Sequence, residues 1–296
     1  MNFLTEIVNK LIKVMGLNSI HYTDIAYSFI AIGLGFFIEL IFVGWKNSSL
    51  KRMVTFDKSI QTDIISSLLS IFNFFKILSF LFSFGVCFCL VGLIQKNFHL
   101  NLVLHIDGLY LQMLIVFIVS DFKEYIRHIA FHRFKPLWKL HEFHHSATGF
   151  SMITSYRGHF LEHSIAAFFK VIPYVVLGAP LHSYIIISSF IKIHHLLVHS
   201  SIKTDWGFIG KYILASPDSH KIHHSIKPEH YDKNFGDTLI IWDKIFGTFQ
   251  PSEQVNEIGI PENPYNKKGY VVDVFICVKR FLDSSKQNIL QYIKPA

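Results

Sequence analysis

The segment HIAFHRFKPLWKLHEFHH, residues 128–145, decides the architecture of this chain. It holds five histidines at two spacings, HxxxH and HxxHH, and a second HxxHH pattern begins at His220. Residues three and four apart lie on one face of a helix, so the histidines of each pattern can converge. Because imidazole is a common ligand for iron, zinc and copper, these repeated patterns predict a metal site rather than scattered histidines.

Ten histidines form groups at helical spacing in three parts of the chain. A site for one metal ion needs three or four ligands, so ten candidates suggest two ions. Neighbours in a His-His pair lie about 100° apart on a helix and can reach different ions. The ten candidates are His128, His132, His141, His144, His145, His195, His199, His220, His223 and His224. Carboxylates that could orient such ligands are Asp121, Glu124, Glu142, Glu162, Asp218 and Asp237.

The composition predicts an integral membrane protein with a polar part. The chain has 296 residues, of which 51% are hydrophobic and 30 are Phe, and only 17% are charged, against about 25% in typical soluble domains. The net charge of +7 suits anionic lipid headgroups. No dense Lys/Arg stripe with interleaved aromatic residues is present, so we expect no nucleic-acid partner. With three cysteines, neither a disulfide framework nor a cysteine-rich zinc site is expected.

Residues 1–24 are predicted to form an amphipathic interfacial segment, and residues 25–119 to carry transmembrane helices. The first span covers 25–45 and contains Glu39, close enough to its end to reach the interface. A surface helix then leads into a second span over about 77–94, with a tight pair of helices over 64–94 as the alternative, and a further span begins near 102. The basic loop after the first span belongs in the cytoplasm, so the histidine patterns should face the cytoplasm too.

A second apolar region, 165–198, is predicted to be a membrane hairpin, because Pro173, Gly178 and Pro180 divide it. The hairpin would bring His195 and His199 to the membrane face that carries the first pattern. From Trp206 onward the chain is mostly polar, which predicts a soluble cap.

The chain contains SDFKEY at 120–125, HxxxH at 128–132, LWKLHEFHHS at 137–146, YRGHFLE at 156–162, SPDSHKIHHS at 216–225 and DKNFGDTLIIWDKIFGTF at 232–249. These six motifs resemble those of the fatty acid hydroxylase and sterol desaturase superfamily, and the resemblance extends over about residues 120–265. The last motif resembles the alkylglycerol monooxygenase branch, and IPENPY at 260–265 resembles bacterial sterol desaturase family members. Residues 120–265 are therefore expected to form the catalytic domain, followed by a tail over 266–296.

The resemblance implies a non-haem di-iron centre, with two Fe per chain held by the ten histidines. It also implies a lipid substrate, dioxygen and two electrons from a separate donor of the cytochrome or ferredoxin type. The expected fold is an all-α integral membrane bundle of about four transmembrane helices with a cytoplasmic, histidine-rich helical cap.

Three functions stay open at the level of sequence. Spacing alone does not separate iron from zinc, although attack on an unactivated lipid C–H bond calls for a redox metal and dioxygen. Hydroxylation of a lipid is the first expectation, and desaturation of a sterol or acyl chain is the alternative within the same class. A membrane zinc-dependent lipid hydrolase is the alternative from another class.

Overall fold

The computed structural model describes residues 22–75, 77–78, 103, 105–177 and 181–293. These residues form helices and two isolated β-bridges, with no β-strand among them, which confirms the all-α prediction. The predicted interfacial segment 1–24 and the predicted span over 77–94 lie almost wholly outside the described residues.

We number the described α-helices in chain order. They are α1 Tyr22–Val43, α2 Ser49–Thr55, α3 Lys58–Ile71, α4 Leu109–Arg133, α5 Lys135–His145, α6 Phe160–Leu177, α7 Leu181–Val198, α8 Gly207–Tyr212, α9 Pro217–His223, α10 Ile241–Phe246 and α11 Tyr270–Ile293.

Among the described residues, α1 is the one helix long and apolar enough to cross a membrane. Its segment Ile25–Val43 has a mean hydropathy of 2.1 and matches the first predicted span. Helix α7 contributes a shorter apolar stretch, Ile186–Val198. Helix α4 is apolar only in its first half, since its second half holds Asp121 and two histidines. The expected count of about four transmembrane helices therefore stays a prediction, as does the cytoplasmic side of the cap.

Glu39 joins the end of α1 to two other parts of the chain. Its carboxylate is fully buried and accepts hydrogen bonds from Ser49 N (2.8 Å), Ser49 Oγ (2.7 Å) and Ser201 N (2.6 Å). These donors offset the cost of a buried carboxylate on an apolar helix. Glu39 thus does not extend to the interface, and instead fixes α1 beside the chain that leaves α7.

A buried ion pair joins α3 to the segment that follows α5. The Arg157 guanidinium contacts the Asp63 carboxylate at 2.6 Å, and Thr154 Oγ1 donates to the same carboxylate at 2.6 Å. Arg157 also donates to the Ser59 carbonyl (2.5 Å) and to Ser146 Oγ (2.8 Å). Helix α3 and the chain after α5 therefore form one rigid unit.

A core of Phe131, Leu140, Phe143, Tyr265 and Cys277 holds α4, α5 and α11 together. Residues 266–296, expected to be a tail, therefore include a helix that packs on α5. The reason is visible in the sequence, because apolar residues of α11 at 274, 277 and 281 repeat at helical spacing and meet this core.

Buried Glu142 on α5 ties the same core together. Its carboxylate accepts from Tyr265 OH at 2.9 Å and pairs with Lys139 and with the Arg280 guanidinium of α11.

Candidate metal centre

Nine histidines converge in two neighbouring groups. In each group, one ring nitrogen of every member lies within 4.8 Å of the corresponding atoms of the others. The five-histidine group consists of His128, His132, His141, His145 and His223, and the four-histidine group of His144, His199, His220 and His224. All are buried except His132, which is partly exposed.

Four helices supply these side chains. Helix α4 supplies two of them and α5 supplies three. One directly follows α7, and three lie on α9 or directly after it. Each His-His pair is divided between the two groups: His145 and His223 belong to the first, His144 and His224 to the second. The rings of His145 and His224 stack with centroids 4.1 Å apart, so the two groups are in direct contact.

The Nε2 atoms point inward and approach closely. His128 Nε2 lies 3.1 Å from His141 Nε2, and His220 Nε2 lies 3.0 Å from His199 Nε2. In the contact between His128 and His141, both rings donate through Nδ1 to an oxygen, so neither Nε2 carries a hydrogen. Such contacts are the arrangement expected of ligands around a common cation.

The outward ring nitrogens are held by hydrogen bonds that fix the tautomer. Five histidines donate Nδ1–H to an oxygen, which leaves the Nε2 lone pair free to bind metal. The pairs are His128 with the Phe235 carbonyl (2.8 Å), His141 with the Glu162 carboxylate (2.7 Å), His144 with the Arg157 carbonyl (2.9 Å), His199 with the His195 carbonyl (2.9 Å) and His223 with the Lys233 carbonyl (2.9 Å).

The inward nitrogens have the chemistry of metal ligands. The Nε2 atoms of His132, His145 and His223 and both ring nitrogens of His224 are buried without a hydrogen-bond partner, which is rare for polar atoms. Burial lowers the pKa of His223 to about 3 and that of His220 well below its usual value, so both rings are neutral. Neutral imidazole is the form that binds metal, and an all-nitrogen set suits iron, copper or zinc.

His195 is the predicted ligand that joins neither group. Its side chain is about one-third exposed, and its Nε2 lies 3.4 Å from Asp237 Oδ1. The reason is its place on α7, one turn before His199, where its backbone carbonyl rather than its ring serves the site. Nine of the ten predicted histidines therefore converge, and His195 as a metal ligand stays a prediction.

One of the six predicted orienting carboxylates, Glu162, hydrogen-bonds a grouped histidine in the described residues. The others have different partners. Glu142 pairs with Arg280, Glu124 with Arg127, Asp218 with Lys221 and Asp237 with His195, while Asp121 accepts from Thr238 N, Leu239 N and Trp242 Nε1. Most of the hydrogen bonds that orient the grouped histidines are accepted by backbone carbonyl oxygens. The positions of these oxygens cannot be predicted from the side chains in the sequence.

Asp243 and Arg157 support the site indirectly, and neither is predicted to do so from the sequence. Asp243 is buried and accepts from Phe235 N (2.8 Å), Gly236 N (2.8 Å) and Thr248 Oγ1 (2.6 Å). It thereby holds the peptide whose carbonyl orients His128. The Arg157 carbonyl accepts a hydrogen bond from His144 Nδ1 and thereby orients that ring. Both residues lie within the motifs quoted above, but no spacing rule connects them to a ligand.

The fold and the two histidine groups define an all-helical protein that carries a ligand set for metal ions. Comparison with known proteins agrees with this class. Residues 113–248 match the family model described as fatty acid hydroxylase. This region of the chain is therefore similar to the fatty acid hydroxylase family.

Several relatives of known name share this region. The chain is 30% identical over 151 residues to the ornithine lipid hydroxylase OlsE of Rhizobium tropici, covering 50% of this chain and 45% of the relative. It is 30% identical over 131 residues to the alkylglycerol monooxygenase of Caenorhabditis elegans (44% and 25%) and 30% identical over 139 residues to the human one (47% and 30%). The match thus spans less than half the length of each relative. No solved structure matches the chain.

Proposed function

We propose that this protein is a membrane-bound non-haem di-iron oxygenase that hydroxylates a lipid C–H bond. The observation that carries the proposal is the pair of adjoining groups of buried histidines, five and four, with inward nitrogens that lack hydrogen-bond partners. The resemblance to the fatty acid hydroxylase family implies iron, and two relatives that match the chain are named as a lipid hydroxylase and a monooxygenase.

The overall reaction converts R–H, O2, two electrons and two protons to R–OH and H2O. Bound iron would supply the dioxygen chemistry that an unactivated C–H bond requires. The nine histidines of the two groups would hold it, each with its Nε2 or remaining ring nitrogen. The chain's own contribution is positional, since five N–H···O bonds fix the ring orientations and the packed helices keep bulk water from the ligands.

The ligand count favours iron over the zinc-hydrolase alternative. Catalytic zinc sites commonly use three protein ligands and keep the fourth position for water. Groups of five and four histidines exceed that number. Desaturation of a sterol or acyl chain remains the alternative within the oxygenase class, because the described site has no feature that separates it from hydroxylation.

The proposal includes a multi-pass membrane protein with its histidines on the cytoplasmic side. Glu39 near the end of α1 binds Ser201 N, two residues after His199. The four-histidine group therefore lies toward the end of α1 that leads into a basic segment with Lys46, Lys51 and Arg52. Positive segments of this kind stay in the cytoplasm.

A separate electron donor, of the cytochrome or ferredoxin type, is also part of the proposal. The five-histidine group contains the partly exposed His132, whose ring centroid is 4.9 Å from that of Trp138. Arg133 and Lys135 beside it are exposed. These cations suit an acidic donor.

Comparative lipid analysis under labelled dioxygen tests the reaction. Cells with the protein should contain a lipid hydroxyl group that carries the label, and cells with His144→Ala should not. An unlabelled new double bond would support desaturation instead. Oxygen-independent lipid cleavage by protein with two zinc ions per chain would overturn the oxygenase proposal.

A further inference from the structure

We propose that α8 and α10 form a second membrane contact, a surface that rests on the bilayer beside the metal centre. We call residues 207–213 and 241–246 the α8–α10 surface. The mostly polar sequence after Trp206 predicts a soluble cap, and this surface is the exception to that expectation. The inference relies on the proposed membrane placement of α1 and not on the proposed chemistry.

The two short helices join into one apolar patch. Exposed side chains of the first part are Phe208 (72%), Ile209, Tyr212 and Ile213. The second part adds Ile241, Ile245 (61%) and Phe246. Backbone pairing makes the parts adjacent, because Ile240 N donates to the Ile213 carbonyl at 3.0 Å and Leu214 pairs with Leu239. Contiguous exposed apolar patches mark membrane or protein contacts.

One edge of the patch lies beside the candidate membrane span. Trp206, the residue before α8, lines a cleft of about 770 Å³ together with Ile38, Phe42 and Val43 from the end of α1. Helix α8 therefore begins at the level where α1 would leave the bilayer.

The other edge adjoins the apolar half of α4. The Trp242 indole donates to Asp121 at 2.8 Å, and its ring lies 4.7 Å from that of Phe122. The exposed apolar residues Ile118 and Val119 come directly before this contact. The α8–α10 surface thus lies between the ends of two apolar helices, which is the position of a membrane interface.

The charges at the rim select a lipid surface rather than a second copy of the chain. Exposed charged residues of 203–213 and 241–246 are Lys203, Lys211 and Lys244 against Asp205. Lys244 Nζ lies 4.4 Å from the centre of the Tyr212 ring, so a cation borders the apolar patch. This pattern suits anionic headgroups. A two-fold contact between copies would bring these cations together.

Spin labels measure whether the patch enters the bilayer. Labels are placed at Phe208→Cys and Ile245→Cys, with Phe134→Cys as the exposed apolar control and Leu34→Cys reporting on α1. The two other cysteines are replaced by serine, and Cys277 remains because it is buried. Each lipid nanodisc contains one chain and phosphatidylglycerol, which excludes contacts between copies.

We expect the ratio of oxygen to aqueous nickel-reagent collisions to be several-fold higher at 208 and 245 than at 134. Equal ratios at these three sites, with position 34 in the bilayer, would overturn the inference. A water-exposed label at 34 would instead refute the membrane placement of α1 and with it this inference, while leaving the lipid-oxidation test unaffected. Lys211→Glu with Lys244→Glu should lower the ratio at 208 several-fold in anionic discs and little in phosphatidylcholine discs.

Discussion

His195 lies on the last turn of α7 and His199 directly follows that helix, yet the environments of these two histidines differ. His199 is fully buried with its Nε2 3.0 Å from that of His220, whereas His195 contacts Asp237 and is partly exposed. A metal ligand needs a ring nitrogen close to those of the other ligands, and in this pair His199 alone lies in a histidine group. The HxxxH spacing is the same for both residues and does not separate them.

We predict that His199→Ala removes metal from the four-histidine group and that His195→Ala retains it. The alanine at 195 keeps the backbone carbonyl that orients His199. Metal content per chain, measured after purification in detergent, checks the difference. Equal metal loss in both variants would show that His195 is a ligand after all.

A side chain at position 236 would overlap neighbouring atoms, so this position requires glycine. A Cβ at this position would lie 2.5 Å from the Leu239 carbonyl oxygen and 2.8 Å from Asp243 Oδ2. Gly236→Ala should displace Asp243 and the Phe235 carbonyl that holds His128. We expect metal affinity of the five-histidine group to fall about 10–100-fold, as for other contacts behind metal ligands.

Metal titration checks this prediction, with Gly33→Ala as the control because no heavy atom lies within 4 Å of its Cβ. Unchanged affinity in Gly236→Ala would mean that the Phe235 carbonyl is not needed to orient His128.

At the scale of elements, the buried pair of Asp63 and Arg157 connects α3 to the metal centre. Arg157 serves both through its side chain, which binds Asp63 and Ser59, and through its carbonyl, which accepts from His144. Helix α3 therefore supports a ligand that it does not contact.

Arg157→Ala should destabilise the protein by about 3–5 kcal/mol, because it leaves the Asp63 carboxylate buried without its cation. Replacing both residues, Asp63→Asn with Arg157→Gln, should recover part of that loss. Unfolding by denaturant in detergent measures both effects. The exposed Arg133→Ala is the matched control and should change stability by less than about 0.5 kcal/mol. A similar small loss in Arg157→Ala would contradict the connection.

At the scale of the whole molecule, the histidine groups make the metal-free protein sensitive to acid. Burial lowers the pKa of His223 from 6.5 to about 3, and other members of the groups shift the same way. The unfolded chain takes up protons near pH 6.5, whereas the folded chain resists them. The stability contributed by these rings is therefore complete above pH 6.5 and is lost as the pH falls toward 3.

We predict that metal-free protein unfolds at progressively lower denaturant concentration as the pH falls from 7 to 5. Bound metal should shift the onset to lower pH, because protons and metal compete for the same nitrogens. Denaturant midpoints at a series of pH values check this expectation. A midpoint that does not change across this range would show that the rings take up protons while folded.

The helical nature and the identity of most site residues could be predicted from the sequence. The spacing of three or four residues between histidines is a property of a single helix. It can therefore be recognised directly in the sequence. The number of transmembrane helices is harder to predict from the sequence, because apolar stretches such as 165–198 differ little from helices buried in a protein core. The role of α11 was missed, although its apolar residues repeat at helical spacing.

The sequence by itself determined which residues are candidate metal ligands, because ligand type and helical spacing are local. Only the tertiary structure decided that the segment 128–145 supplies both groups and that His195 joins neither. The physical reason is that a ligand set requires lone pairs from four separate helices to meet within a few ångströms. That meeting depends on buried long-range contacts, such as Glu39 with Ser201 and Asp63 with Arg157, which no spacing along the chain encodes.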